Sequence, residues 1–301
     1  MTTLSNYFLS LRRLSLGLLG LLASPNLVQA QAVVQVATRT VERSVDAAGI
    51  RTLHIVAEKA DIELAVWDKA TIAVKLELSA RHPDKTTATN DLAKVQYVAD
   101  RSGRDFFLRN FILLKDGEAK PLSNLKARYT VYLPASCAVD VRNSFGTVTM
   151  KGVRNSLRLK ADFCISTLTD IMAKGTLETS FGELTARSLS GTFVFATDHT
   201  NLRLEQPAGS VKLNAAYGTV DILPDERLTG LTIQSKKAVV NVFPKNWQQF
   251  DYAISGAYAT LQLPNGFNWK RNTADFKEAF FSSRQTATVS ITAEFGDLTI
   301  K

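Results

Sequence analysis

Two cysteines and three histidines are the residues of this chain best suited to nucleophilic or metal chemistry. Cys137 and Cys164 stand far apart, and His54, His82 and His199 are scattered along the sequence. None of them has a second ligand at the spacing that zinc sites or catalytic pairs require. The sequence therefore predicts no metal site, no cofactor and no catalytic residue among them.

The acidic residues do not form a pattern typical of catalysis or calcium binding. They make neither a repeated aspartate ladder nor a carboxylate pair at a defined spacing, and no G-x-S-x-G, P-loop, H-E-x-x-H or C-x-x-C motif occurs. We expect several aspartates to lie at strand ends or at outward positions: Asp61, Asp140, Asp162, Asp170 and Asp221. The sequence thus favours a protein that is not an enzyme.

The first thirty residues have the pattern of a cleaved secretory signal. Arg12 and Arg13 precede a ten-residue apolar stretch, Leu14 to Ala23, and cleavage is expected after Ala30 or Ala32. Ten residues make about 15 Å of helix, half of a bilayer core, which disfavours a permanent anchor. We expect Sec export to the periplasm, the outer cell envelope or the exterior, and a mature chain without a transmembrane helix.

The charge of the chain bears on its partners. Lys and Arg exceed Asp and Glu by 36 to 28, and losing Arg12 and Arg13 lowers the net charge from +8 to +6. This mild excess suits acidic surfaces or glycans, but no block of five like charges appears. Nucleic acid is therefore not an expected partner.

An 18-residue repeat begins at Asn143. Within each unit, apolar residues stand two apart with polar or small residues between them, which is the alternation of a strand with one buried face. Three columns of residues are expected to point inward: the pair aligned with Val148/Met150, the position of Val153, and the pair aligned with Leu157/Leu159. Such short units cannot bury their apolar faces alone, so they must stack. The sequence predicts an all-β fold, a single-stranded, right-handed β-solenoid with rungs of about 18 residues.

An aromatic position precedes a glycine in most of these units. It carries Phe145, Phe163, Phe181, His199 and Tyr217, and glycine follows at 146, 182 and 218. A tight corner explains the glycine. The aromatic series could stack on sugar rings, but an inward-facing corner ladder is the favoured interpretation.

The pattern continues less regularly on both sides. Val240, Leu261 and the aromatic residues Phe276 and Phe295 extend it in sequence order, and similar alternation occurs from Leu53 to Val74. Residues 81–94 are polar and are predicted to form a loop, with strands resuming at 95–99, 105–114 and 128–133. We expect a signal peptide at 1–30, a leader with a possible capping strand at 31–49, and one repeat domain at 50–301.

The repeat register also predicts the state of the cysteines. Cys137 and Cys164 fall two rungs apart, a separation of about 9.6 Å from stacking alone. A disulfide tolerates a Cα separation of up to about 7 Å. We therefore expect two free, largely buried thiols.

Four segments carry a resemblance to a known family: N-S-F-G-T-V-T-M, T-S-F-G-E-L-T-A, A-A-Y-G-T-V-D-I and A-E-F-G-D-L-T-I. They resemble the repeats of the DUF4097 family, the adhesin-like β-strand-repeat proteins of bacterial envelopes. The resemblance covers most of 50–301 and implies a β-solenoid in the envelope. It supplies no catalytic or binding residues. Cys164 and Thr200 depart from it by replacing the glycine, and Lys237 by replacing the aromatic residue, so distorted rungs are expected there.

The leading functional hypothesis is a non-enzymatic, adhesin-like or structural protein of the envelope that binds a surface glycan, an envelope protein or another copy of itself. A β-helical carbohydrate-active enzyme is the first alternative, although its rungs are usually longer and carry projecting loops. A self-assembling envelope scaffold, similar to the bactofilins in rung length, is the second. The export signal disfavours a cytosolic filament.

Overall fold

The computed structural model describes residues 34–283 and 286–301, and in these ranges it is an all-β protein with one large sheet that does not close. The predicted signal peptide lies outside the described residues. The strands are β1 (Gln35–Asp46), β2 (Thr52–Trp67), β3 (Thr71–His82), β4 (Val95–Ser102), β5 (Asp105–Ile112), β6 (Asn124–Pro134), β7 (Ala138–Lys151), β8 (Ser156–Ser180), β9 (Glu183–Asp198), β10 (Asn201–Glu205), β11 (Ala208–Ala216), β12 (Thr219–Leu223), β13 (Leu228–Lys236), β14 (Val239–Val242), β15 (Asp251–Ala257), β16 (Thr260–Gln262), β17 (Asn268–Asn272), β18 (Phe276–Phe281), β19 (Thr288–Glu294) and β20 (Asp297–Ile300).

One prediction of a loop is wrong, because residues 85–94 form the helix α1 (Lys85–Lys94). The Asp84 side chain caps its first turn by accepting a hydrogen bond from the Thr87 N–H at 2.6 Å. Ala88 and Leu92, four residues apart on one face, are buried. A cap and two apolar residues at helical spacing are therefore enough to form a helix in this otherwise polar segment. The only other helical turn in the described part of the chain is a short 3-10 helix (Trp247–Gln249).

Parallel pairing with a constant offset organises the middle of the chain. In the pairs that join β7 to β8, β8 to β9, β9 to β10 and β11, and β10 to β12, the partners are 18 positions apart, as in Val139↔Leu157 and Leu202↔Val220. The three columns expected to point inward are buried: Val148, Ile171 and Leu213, for example, have no exposed surface. The predicted inward columns are thus confirmed, and they form one continuous core.

Glycine and a residue with a side chain alternate along one column of the stack, directly after the aromatic position. In stacking order the column reads Ala60, Gly146, Cys164, Gly182, Thr200, Gly218, Ala238, Gly296 and Ala259. A Cβ built on Gly182 would lie 2.2 Å from the carbonyl oxygen of Cys164, and the other three glycines meet the carbonyl below them in the same way. The side chains of Cys164 and Thr200 are buried at these sites. Cys164 and Thr200 replace the glycine of the repeat pattern, and distorted rungs were expected there. Each of them instead lies between two glycines of the column and fits the alternation.

The order of the stack differs from the order of the sequence at both ends. β2 lies between β7 on one side and β5 and β6 on the other. β19 lies between β13 and β15, and β20 lies between β14 and β16. The expectation that Val240 and Leu261 are successive rungs is therefore wrong, because Leu298 lies between them.

Antiparallel strands pair with outer strands at both ends of the parallel stack. At one end β3 pairs antiparallel with β6 and β1 with β3, while β4 pairs with β5. At the other end β18 pairs antiparallel with β15, and β17 with β18. Strand β1 falls within the segment 31–49 and is an edge strand, with charged side chains on it that discourage further pairing. Residues Val34–Lys301 form one compact unit.

Cys137 and Cys164 are free and buried, which confirms the prediction of two thiols. Burial raises the pKa of the Cys164 thiol to about 11 and also raises the pKa of Cys137. Both groups therefore remain protonated and unreactive at neutral pH. No helix among residues 34–283 and 286–301 is long and apolar enough to cross a membrane.

Candidate functional site

The most unusual surface feature is a row of side chains at one corner of the stack, which we call the aromatic ladder. All of its members have a left-handed backbone, with φ between 47° and 65°, although none is glycine. Left-handed geometry costs a residue other than glycine about 1–2 kcal/mol. Because this geometry recurs in rung after rung, the fold must require it at this corner. In stacking order the members are Lys59, Phe145, Phe163, Phe181, His199, Tyr217, Lys237, Phe295 and Tyr258.

The aromatic ladder faces solvent, so the expectation of an inward-facing ladder is wrong. Phe163 is 51% exposed and Tyr258 63% exposed. The left-handed residue interrupts the alternation of the strand, so its side chain projects outward while the residue that follows, such as Cys164, is buried. Phe276, expected on the ladder, lies instead in the antiparallel strand β18.

The rings of the ladder cover one another's faces. From Phe145 to Tyr217 the ring centroids are 4.3–5.1 Å apart with interplanar angles of 8–20°, and His199 is one of the stacked rings. The ammonium of Lys237 lies 5.6 Å from the Tyr217 centroid, which continues the run. Sugars stack on ring faces, but these faces are covered, so the run offers a ligand only ring edges, a wall that is apolar except for the His199 imidazole and the Tyr217 hydroxyl.

The ladder should contribute measurably to stability. We expect Phe181→Ala to lower the free energy of unfolding by about 1–3 kcal/mol, because it removes two ring stacks worth about 0.5–1.5 kcal/mol each. Phe181→Gly should be less harmful than Phe181→Ala, since glycine relieves the left-handed backbone (φ 53°). Urea unfolding measures both. Ile165→Ala, which removes exposed apolar surface without a ring stack, is the control; equal stability of Phe181→Ala and Ile165→Ala would contradict the stacking argument.

A groove with a volume of about 700 Å³ runs beside the aromatic ladder across six rungs, a length of about 24 Å. Two outward rows of side chains line it, and the second row immediately precedes the ladder residues. The first row is Lys160, Glu178, Ala196, Asn214, Gln234 and Thr292; the second is Asp162, Ser180, Asp198, Ala216, Lys236 and Glu294.

The groove combines short side chains with hydrogen-bonding groups. Ala196 and Ala216 keep its centre open, while the amides of Asn214 and Gln234 supply donors and acceptors. Its four carboxylates and two ammonium groups give a net charge of −2, counted from the lining residues. The basic excess of the whole chain is therefore not located in this groove. Its chemistry suits an extended, neutral or amine-bearing ligand rich in hydroxyl groups.

The histidines and cysteines do not come together. His54 lies between two carboxylates, with Nδ1 3.2 Å from Asp140 and Nε2 3.5 Å from Asp105, and its ring stacks on Phe107 at 4.8 Å. His82 accepts a hydrogen bond from the Asp84 N–H near the start of α1. In the described ranges no group of three or more His, Cys, Asp or Glu side chains could hold a metal ion.

The five aspartates singled out from the sequence occupy different environments. Asp61 differs most from expectation, because it lies within β2 and is largely buried, with Lys126 Nζ at 2.6 Å and Thr147 donating at 3.0 Å. Asp162 lines the groove. Asp170 pairs with Arg154. Sequence reasoning did not identify the groove, because its two rows are recognisable only once the outward direction of the ladder is known.

Comparisons with known proteins give only distant similarities. No protein-family model and no curated protein matches the chain. Solved structures that are similar include the following three. A putative cell adhesion protein from Clostridium sporogenes has 13% identity and a TM-score of 0.27, covering 88% of this chain and 99% of its own. A putative adhesin from Bacteroides fragilis has 9% identity and a TM-score of 0.39, covering 87% and 97%. A putative lipid binding protein from Parabacteroides distasonis has 10% identity and a TM-score of 0.44, covering 88% and 96%. These values are too low to identify the fold or the ligand of this chain.

Proposed function

We propose that this protein is an exported, non-enzymatic, adhesin-like β-solenoid of the bacterial cell envelope or surface, and that its groove binds an extended glycan. The constant 18-residue offset of the parallel pairs supports a coil of two-strand rungs, for which we propose a right-handed sense. The repeat motif that resembles the DUF4097 family and the signal pattern at 1–30 support the envelope location.

The proposed class of ligand is inferred from the groove beside the aromatic ladder. A sugar residue is about as long as the spacing of about 4.8 Å between rungs, so successive sugars would meet successive rungs. Hydroxyl, amide and carboxylate groups of the two rows would bond the sugar hydroxyls, and the ring edges would form an apolar wall. The net negative charge of the lining favours neutral or amino sugars over uronic acids.

The carboxylates whose pKa is shifted by their surroundings, all of them outside the groove, are not suited to general acid catalysis. A general acid needs a raised pKa near neutrality. Burial opposes ionisation of Asp61, Asp91 and Asp225, yet hydrogen bonds from Lys126, Ser123 and Arg227 respectively hold their pKa values below the usual range. The hydrogen bond from Arg203 likewise lowers the pKa of Glu205. Such groups remain ionised and are suited to structural pairing.

A glycan panel tests the proposal with a matched pair of variants on β9. Ala196 lines the groove, whereas Val194 is exposed on the same face two residues earlier and lies outside it. We expect the protein to bind neutral or amino-sugar polysaccharides without releasing reducing ends, and Ala196→Trp to weaken binding by about tenfold or more. Val194→Trp should bind like the parent. The proposal fails if no glycan binds, if Ala196→Trp binds normally, or if the panel is hydrolysed.

A further inference from the structure

The segment formed by β19 and β20, Thr288–Ile300, occupies a slot between two rungs that are neighbours in the sequence. We call it the inserted segment. Seven residues of β19 pair in parallel with β13 on one side and with β15 on the other. All four residues of β20 pair with β14, and three of them pair with β16. Every strand edge that faces this slot is therefore satisfied by this one segment.

Buried apolar side chains also hold the inserted segment in the slot. Val289, Ile291, Ala293, Leu298 and Ile300 are each exposed by 2% or less, so the inserted segment completes the core between the two rungs. Gly296 is also required, because a Cβ at this position would lie 2.2 Å from the carbonyl oxygen of Ala238. The slot therefore selects a strand with this alternation and with glycine at one position.

In the sequence, the inserted segment comes after all four strands that form the slot. Residues 228–262 are made earlier in the chain and can take their places while the edges of β13, β14, β15 and β16 still lack this partner. Open edges accept any strand of matching pattern. The same segment of a second copy matches completely, and strand exchange between copies is a characteristic outcome in repeat proteins.

We propose that the inserted segment is exchangeable, so that the slot of one copy is filled by Thr288–Ile300 of a second copy. The pairs and buried contacts are the same in either arrangement, so protein concentration during folding decides between them. β2 is inserted in a similar way at the other end, but β1 and β3 flank it in the sequence and both pack in the same sheet. Exchange of β2 would therefore displace a packed strand on each side of it. Thr292 and Glu294 of the inserted segment line the groove, so a second copy would supply these two residues in the exchanged form, but the exchange itself requires no glycan.

Two full-length variants, Ser255→Cys and Thr292→Cys, each add one surface cysteine to the buried Cys137 and Cys164 and report which copy supplies the segment. Ser255 on β15 and Thr292 on β19 are paired, with their hydroxyl oxygens 3.1 Å apart on the surface. A Cα separation of about 5 Å between paired strands permits a disulfide. The two variants are unfolded, mixed, refolded together and oxidised. We expect a disulfide-linked heterodimer on non-reducing gels, several times more abundant than from Ser255→Cys mixed with the exposed control Lys212→Cys, and increasing with concentration.

The double variant Ser255→Cys/Thr292→Cys verifies the geometry at low concentration, where an internal disulfide should form. An internal disulfide in the double variant with no heterodimer above the control would overturn the proposal. Native mass spectrometry of the unsubstituted protein gives a second readout that needs no cysteine. Refolding at high concentration should yield dimers that separate only after unfolding, and monomers at every concentration would equally overturn it.

Discussion

Leu202→Asp is expected to abolish cooperative unfolding of this protein at neutral pH. Leu202 is 2% exposed and lies between Leu184 and Val220 in the stack. Losing the leucine side chain alone costs about 2–5 kcal/mol. An unpaired buried carboxylate adds about 3–5 kcal/mol, and the sum reaches the total stability of an ordinary domain, about 5–15 kcal/mol.

Calorimetry with three companion variants separates these contributions. Asn201→Asp places the same charge one residue earlier on an exposed side chain and should melt like the parent. Leu202→Ala should retain a transition at lower temperature, and Leu202→Asn shows the cost of a polar group without charge. An unchanged melting curve for Leu202→Asp would mean that this column does not face the core.

Gly182→Ala should be nearly as damaging, although it adds a single methyl group. The added Cβ would lie 2.2 Å from the carbonyl oxygen of Cys164, and this atom belongs to the backbone of a paired strand. Neither strand can move without breaking its ladder, so we expect a loss of about 3–5 kcal/mol, above the usual cost of overpacking. The φ of Gly182 is not in the left-handed region, so the effect is purely one of space.

Gly230→Ala is the matched control for this substitution. Gly230 also lies in a parallel strand, but the nearest atom to a built Cβ is the Ser210 hydroxyl at 3.8 Å. Urea unfolding should show little change, or a gain of about 0.4–1 kcal/mol from the stiffer unfolded chain. If Gly182→Ala and Gly230→Ala were equally stable, the close approach of the rungs at the corner would be wrong.

Local patterns account for what could be predicted from the sequence. Apolar residues two apart identify a buried strand face, and a constant step of 18 aligns one unit with the next, so Leu157, Leu184 and Leu202 were assigned correctly to the core. The thiols of Cys137 and Cys164 follow from the same step. These inferences need only the chain's own regularity.

Features that depend on distant pairing or on one backbone angle were missed. The step changes after β12, so nothing local reveals that Leu298 lies between Val240 and Leu261. The left-handed φ of Phe163 reverses the direction of its side chain, and phenylalanine seldom adopts that geometry. The ladder borders the groove. Because the sequence predicts the wrong direction for one side chain in each rung, it does not predict the groove.

The alternating glycine column implies that this corner of the stack keeps its pattern only when rungs are added in pairs. Duplicating one 18-residue unit would place glycine on glycine or, worse, two side chains on neighbouring rungs, as if a Cβ were added above Cys164 or Thr200. Duplicating two units, 36 residues in all, restores the alternation across both new junctions. The close approach of the rungs at this corner therefore disfavours duplication of a single unit that carries Cys164 or Thr200, because the new Cβ would meet a carbonyl oxygen.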